Sequence, residues 1–170
     1  FIYLYLHIHD RRKYLAVWAV SWTIYFLRYI FMLFIATGSD TIFFLIANQL
    51  ASLLSGVILL WGTYLFINKK IPLPWIVGCG LGIVWIVISN WLRFPFVIMS
   101  APTFVFLALV YIWTGLTLIK SEMPGSYAKQ ITGWAFIIWG LHKADYPFLR
   151  PLIWFAPWGY LIGSLLEFVV

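Results

Sequence analysis

The sequence predicts an all-α integral membrane protein with about seven transmembrane helices. Of its 170 residues, 64% are hydrophobic and only 9% are charged, whereas a soluble domain has roughly 25% charged residues. So few charged side chains cannot cover a water-facing surface, and lipid must cover the remaining apolar area. Aromatic residues make up 21% of the chain, as is typical of proteins with aromatic belts at the membrane interfaces. The period-2 alternation of a membrane barrel is absent.

Composition also argues against several functional classes. The net charge is +6, but the basic residues are dispersed and form no phosphate-binding stripe, so we expect no nucleic-acid partner. Cys79 is the only cysteine, which leaves neither an intrachain disulfide nor a thiolate metal site. The three histidines are expected at opposite membrane faces, so we predict no metal, no cofactor and no catalytic site.

The first three helices follow from the apolar runs, since unpaired backbone polar groups are intolerable in hydrocarbon. Residues 1–8 are apolar but too few to cross a bilayer, which needs about 20 residues, so they are expected to be the end of a truncated first helix. The second helix is predicted over 14–36, before the turn at 38–40. The third is predicted over 41–67, where an Asn-Lys-Lys sequence at 68–70 stops it.

The fourth and fifth helices are delimited by prolines. The fourth is predicted to begin near Pro74, because proline is tolerated in the first turn of a helix, and to continue to Trp91. Pro95 and Pro102 are expected to bracket a break. The fifth helix then reaches about Ile119.

The sixth and seventh helices surround the most polar part of the chain. The sixth is predicted after a polar loop at 120–130, and the seventh runs from about 152 to the end. The apolar run of the sixth helix covers only 131–141, which is too short to span a bilayer. The polar residues that follow this run are therefore expected inside the membrane: His142, Lys143 and Asp145.

Positively charged residues predict the orientation. The segments 9–13, 68–70 and 120–130 hold three, two and two Lys or Arg residues, whereas the turn at 37–41 holds none. These three segments are expected in the cytoplasm, so the N-terminus lies outside and the seventh helix ends in the cytoplasm. Because both ends of the chain lie in apolar runs, we expect a fragment of a longer, multi-pass protein of the cell inner membrane.

Ionisable and amide side chains within the predicted membrane helices indicate a ligand pocket. Arg28 in the second helix and Asn48 and Gln49 in the third are expected roughly 10–13 Å below the outer surface, at a rise of 1.5 Å per residue. The polar end of the sixth helix is expected at the same level, where Asp145 pairs with Arg28 or Lys143, because an unpaired charge would be costly there. Asn90 in the fourth helix is expected to join this group.

Aromatic side chains are predicted to form the walls of this pocket. On the second helix they follow the spacing i, i+4, i+7 and i+11 from Trp18 to Tyr29. The candidate ligand-binding residues are Arg28, Trp22, Tyr25, Asn48, Gln49, Trp139, His142, Lys143, Asp145, Tyr146 and Trp158. Because cations outnumber the carboxylate in this set, the expected ligand is small or lipophilic, with an anionic or polar head. The alternative, at about even weight, is a polar lock that only holds helices together.

Two stretches of the chain resemble a known group of proteins. The stretch Trp139-Gly-Leu-His-Lys-Ala-Asp-Tyr-Pro-Phe-Leu-Arg-Pro151, followed by Trp154-Phe-Ala-Pro-Trp-Gly-Tyr160, is similar to the last two helices of seven-helix N-terminal sensor domains. The run from Tyr14 to Arg28 resembles their second helix. These domains belong to bacterial sensor histidine kinases, PAS-containing receptors and diguanylate cyclases.

This resemblance implies a single signal-input domain over 1–170 that forms a homodimer in the lipid bilayer. It also implies a cytoplasmic output domain in cis, a histidine kinase or a diguanylate cyclase, so this domain itself is not expected to be an enzyme. Gly159 and Gly163 form a small-xxx-small pattern on the seventh helix, and Pro157 is expected to kink that helix. The alternative function is a small transporter or channel with its polar substrate site at the same place, although no internal repeat supports it.

Overall fold

The protein is helical throughout the part of the chain that the structure describes. The computed structural model describes residues 2–38, 42–121, 126–149, 152, 154 and 156–169. These residues form seven α-helices and no strand. The helices are α1 (Ile2–Asp10), α2 (Lys13–Ala36), α3 (Ile42–Phe66), α4 (Leu73–Trp91), α5 (Phe96–Ile119), α6 (Ser126–Leu149) and α7 (Ala156–Val169). The predicted all-α class is confirmed.

Four of the described helices, α2 to α5, are long and apolar enough to cross a membrane. Length and composition therefore support a helical membrane protein. The α1 helix has 9 residues and α7 has 14, so at 1.5 Å per residue both are shorter than the hydrocarbon core of about 30 Å. The α6 helix has 24 residues, but it is not apolar enough to count as a fifth candidate. Seven membrane crossings and their orientation stay predictions.

A break bracketed by Pro95 and Pro102 was predicted, and this prediction is wrong because Pro102 lies inside a helix. The α5 helix begins at Phe96, directly after Pro95, and continues through Pro102. A proline inside a helix removes one backbone hydrogen bond, and membrane helices tolerate this where nearby Ser or Thr side chains bond the backbone instead. In the turn before Pro102, the Ser100 hydroxyl donates to the Phe96 carbonyl at 2.6 Å, whereas the carbonyl that loses its helical donor at Pro102 is that of Ile98.

Two further helix ends differ from the prediction. The α6 helix begins at Ser126, so the polar loop is shorter than expected, and the helix continues through its polar residues to Leu149. Polar side chains do not end this helix because the backbone bonds are made within it. The α7 helix begins at Ala156, so Pro157 lies in its first turn and not in its interior as expected. A missing N–H costs little in that position.

The helices form two compact units, one up to Phe94 and one from Pro95 onward. In the first unit, α3 packs against α2 and α4, and α1 packs against α2. In the second unit, α6 packs against α5 and α7.

Small residues allow α2 and α3 to approach closely. The Ser21 hydroxyl donates to the Ser55 carbonyl at 2.8 Å, and Trp18 lies so close to Gly62 that a Cβ there would clash with its ring. Nearer the turn that joins the two helices, the rings of Phe34 and Phe44 stack with centroids 4.9 Å apart. These contacts place α2 antiparallel to α3 and fix which residues share a level.

Glycines allow the backbones of α5 and α6 to touch. A Cβ added to Gly140 would lie 2.8 Å from the carbonyl oxygen of Ala108, and one added to Gly115 would clash with the carbonyl of Gly133. Such glycine contacts are the usual means of close helix association in membranes. The α5 and α6 helices are therefore tightly packed, and this packing positions the polar residues of α6.

Candidate functional site

Arg28 is a buried cation held between two aromatic rings of its own helix. Its side chain is 7% exposed, and its Nη1 donates to the Tyr25 hydroxyl at 2.9 Å. The guanidinium carbon lies 4.7 Å from the ring centroid of Tyr25 and 5.1 Å from that of Tyr29. Tyr25 is three residues before Arg28 and so lies on the same side of the helix, whereas Tyr29 is the next residue in the sequence. The cation–π contacts partly offset the cost of burying the charge.

Asn48 and Gln49 lie on α3 at the level of Arg28. The Ser21–Ser55 hydrogen bond gives the register of the two helices. Arg28 lies two helical turns after Ser21 on α2, and Asn48 lies two turns before Ser55 on α3. Because the helices are antiparallel, both residues lie at the same level of the α2–α3 contact. The side-chain oxygens of Asn48 and Gln49 are buried and accept no hydrogen bond.

The predicted aromatic stripe of α2 is only partly buried. Tyr25 is 4% exposed, and its ring meets Trp22 and Tyr29 edge to face, with centroids 5.9 and 5.8 Å away. Trp18 packs instead on Gly62 and Phe66 of α3. Tyr25 is therefore the stripe residue that the structure brings to Arg28 as a hydrogen-bond partner.

The predicted residues of α6 lie on two faces of that helix. One face bears Trp139, Lys143 and Tyr146, at i, i+4 and i+7. Trp139 stacks on Tyr111 of α5 at 4.3 Å, and Tyr146 stacks on Phe104 of the same helix at 4.5 Å. Lys143 is 6% exposed, with Nζ 5.1 Å from the Trp139 ring centroid. This face therefore joins a buried cation to the aromatic side chains of the α5–α6 pair.

The second face bears His142 and Asp145 and meets α7. His142 Nδ1 lies 3.4 Å from Asp145 Oδ1, and Nε2 lies 3.0 Å from the carbonyl oxygen of Gly159. A carbonyl can only accept, so Nε2 must bear a proton and donate it. His142 lies beside Asp145, and the pairing predicted between Asp145 and Lys143 stays a prediction. The pair predicted between Asp145 and Arg28 would join the two units and stays a prediction.

Trp158 on α7 is not buried with the other aromatic residues. It is 61% exposed, whereas Trp139 is 1% exposed. The candidate residues therefore fall into separate groups within the two units. The group in the first unit consists of Trp22, Tyr25, Arg28, Asn48 and Gln49. In the second unit, one face of α6 bears Trp139, Lys143 and Tyr146, and the other face bears His142 and Asp145. Trp158 lies on α7.

The sequence interpretation missed one polar group and understated another. Thr103 on α5 is 1% exposed and its hydroxyl has no hydrogen-bond partner; it directly follows Pro102, where the predicted break was expected to end. Asn90, expected only to join the site, is 3% exposed. Its Nδ2 donates to the Ile86 carbonyl at 2.8 Å while its Oδ1 accepts nothing.

The buried polar side chains of the described residues are donors and acceptors of hydrogen bonds. Among the described residues, no group of three or more His, Cys, Asp or Glu could hold a metal ion. The buried groups are two cations and several amide or hydroxyl oxygens, which bind and orient polar groups.

Comparison with protein families, with curated proteins and with solved structures finds no match to this chain. The resemblance to membrane sensor domains therefore stays a prediction, and the function is argued from the side chains themselves.

Proposed function

We propose that this chain is the membrane-embedded signal-input module of a bacterial inner-membrane receptor, a histidine kinase or a diguanylate cyclase. It senses a small or lipophilic molecule with a polar head and passes the signal through α7. The observation that carries this proposal is the position of His142. This side chain meets Asp145 on α6 and the Gly159 carbonyl on α7, so one residue of the candidate site touches the last helix of the chain.

The buried cations support a binding role. Charged side chains within membrane helices are expensive and are usually retained for function. Arg28 and Lys143 are 7% and 6% exposed, and each lies over aromatic rings. Such a cation needs little reorganisation to receive a polar head group, because its aromatic partners already hold it in place.

The packing of α7 on α6 supports a relay role. In the second unit α7 packs on α6. A Cβ added to Gly163 would lie 3.4 Å from His142 Nε2, so the imidazole occupies the groove that the two α7 glycines leave open. A change in the environment of His142 therefore acts directly on α7.

Native mass spectrometry tests the binding part of this proposal. The purified chain in mild detergent is expected to retain a small molecule. Arg28→Ala should lose this molecule, because the polar head loses its charged partner, and Asp145→Ala should weaken its retention. Arg12→Ala is the matched control, since Arg12 is exposed and its variant should bind as the wild type does.

Circular dichroism must show that the variants remain folded. If the wild-type protein carries no molecule and Arg28→Ala and Asp145→Ala only unfold, the polar groups are a helix lock and the sensing proposal fails.

A small transporter is the second candidate, and the prolines inside α5 and α6 favour it. Pro102 and Pro147 interrupt the backbone bonding of these two helices, and interrupted helices often surround transporter substrate sites. Uptake of the bound molecule into proteoliposomes would support transport. Binding without uptake would support sensing.

A further inference from the structure

Three buried amide oxygens in the first unit accept no hydrogen bond. They are Asn48 Oδ1 and Gln49 Oε1 on α3 and Asn90 Oδ1 on α4. Gln49 and Asn90 are 8% and 3% exposed. Native proteins satisfy nearly all buried polar side-chain atoms, so three amides of this kind on two packed helices need a physical account.

The three amides lie near one level of the α3–α4 pair. A Cβ on Gly82 of α4 would lie 3.0 Å from Leu53 of α3, which places these two residues side by side. One turn back along α3 from Leu53 is Gln49, and one turn forward along α4 from Gly82 is Ile86. The amide of Asn90 folds back to the Ile86 carbonyl at 2.8 Å, which brings it to the level of Gln49.

Arg28 lies at the same level on the other side of α3, in register with Asn48 through the Ser21–Ser55 contact. We call Asn48, Gln49 and Asn90 the amide cluster. Arg28 is the permanent cation near this cluster. The helices α2, α3 and α4 contain no Asp or Glu. The charge and hydrogen-bonding pattern of these groups define which ligand fits.

A metal cation does not fit the amide cluster, because Arg28 repels it and hard cations prefer carboxylate oxygens. A carboxylate or phosphate would attract Arg28 but would face three oxygen acceptors. A neutral hydroxyl group suits all of these residues, since it donates to an amide oxygen and accepts from an amide or guanidinium N–H. The oxygen and nitrogen of the Asn48 and Gln49 amides could also be exchanged in position. A hydroxyl group would fit this arrangement too, because it would then accept a hydrogen bond from the amide nitrogen.

We propose that the amide cluster binds a neutral, hydroxyl-bearing molecule, and that this hydroxyl group is the polar head recognised by the first unit. This inference rests on the proposed sensing function and names the ligand chemistry of the same site. The hydroxyl group belongs either to an amphiphile that enters from the bilayer or to a free polyol. Both have the same hydrogen-bonding chemistry, and they differ in their apolar chain.

The test measures the thermal unfolding midpoint in mild detergent with four probes: 1-decanol, decanoate, decyl methyl ether and glycerol. We expect 1-decanol to raise the midpoint, whereas decanoate and the ether, with the same chain but no neutral hydroxyl donor, should not. A rise with glycerol as well would assign the site to free polyols and would also support hydroxyl recognition.

The variants Gln49→Leu and Asn90→Leu should abolish the rise with 1-decanol. Without any probe, Gln49→Leu should unfold at the wild-type midpoint or above it, because leucine replaces an amide that has no partner for its oxygen. A merely structural Gln49 would instead give a lower midpoint. Gln130→Leu, at an exposed position of α6, is the matched control and should keep the wild-type response.

Two results would overturn the inference. One is a rise with decanoate as large as that with 1-decanol, and the other is the absence of any rise with both hydroxyl compounds. If mass spectrometry finds a bound molecule without a hydroxyl group, the hydroxyl inference falls while the sensing proposal stands.

Discussion

Arg28 and Lys143 show how single residues make a buried charge tolerable in this chain. Each cation lies over an aromatic ring, with Arg28 4.7 Å from the Tyr25 centroid and Lys143 5.1 Å from that of Trp139. A cation–π contact in a desolvated place stabilises by about 2 kcal/mol. Arginine suits the first position because its planar group also donates to Tyr25, which a lysine would do with a different geometry.

Three polar side chains that interrupt apolar runs are buried, whereas His142 and Asp145 are only partly buried. Arg28, Gln49 and Lys143 all proved buried, because a membrane helix can bury such groups against its neighbours. Their partners were not predicted. The contact of His142 with the Gly159 carbonyl depends on which face of α6 meets α7, and the sequence does not contain that information.

His142→Ala tests the contact between α6 and α7. Loss of one hydrogen bond of about 1 kcal/mol should increase hydrogen exchange of α7 amides about fivefold, while exchange in the α5–α6 pair stays unchanged. His9→Ala, at an exposed position of α1, is the control. Equal exchange of α7 in the wild type and in His142→Ala would show that this hydrogen bond does not hold the helix.

At the scale of helices, prolines were the main source of error. Pro95 and Pro102 were expected to bracket a break before the fifth helix, but α5 begins at Phe96 and continues through Pro102. In a membrane the alternative is unpaired backbone in hydrocarbon, so the helix is retained and one hydrogen bond is lost. The ends of α2, α3 and α4 were predicted within two residues because polar turns and Pro74 bound these apolar runs.

The glycines of the α5–α6 pair give a prediction at the scale of helices. Gly115→Ala should destabilise the protein by about 1–3 kcal/mol, because the new Cβ meets the Gly133 carbonyl and the two backbones must move apart. Denaturant unfolding in detergent measures this difference. Gly80→Ala is the matched control on α4, where a Cβ meets no atom within 4 Å, so it should be neutral or slightly stabilising through its higher helix propensity.

An equal loss of stability in Gly115→Ala and Gly80→Ala would contradict backbone contact between α5 and α6. The control also separates this contact from any general effect of methyl groups in the membrane helices.

For the whole molecule, composition predicted the all-α membrane class and the apolar runs predicted seven helices, whereas the seven predicted crossings stay a prediction. Seven helices are present in the described residues, and four of them satisfy length and hydropathy together. The α6 helix does not, because polar residues such as Lys143 and Asp145 lower its hydropathy. Which helices cross the bilayer depends on packing and lipid, which composition does not contain.

The central claim is that a molecule bound among the polar residues of the membrane helices alters α7. Hydrogen exchange of α7, compared between protein with its bound molecule and protein stripped of it, tests this claim most directly. We predict that exchange changes in α7 as well as around Arg28 and Gln49, and that His142→Ala abolishes the change in α7 alone. A change around Arg28 with identical exchange of α7 in both states would contradict signal relay.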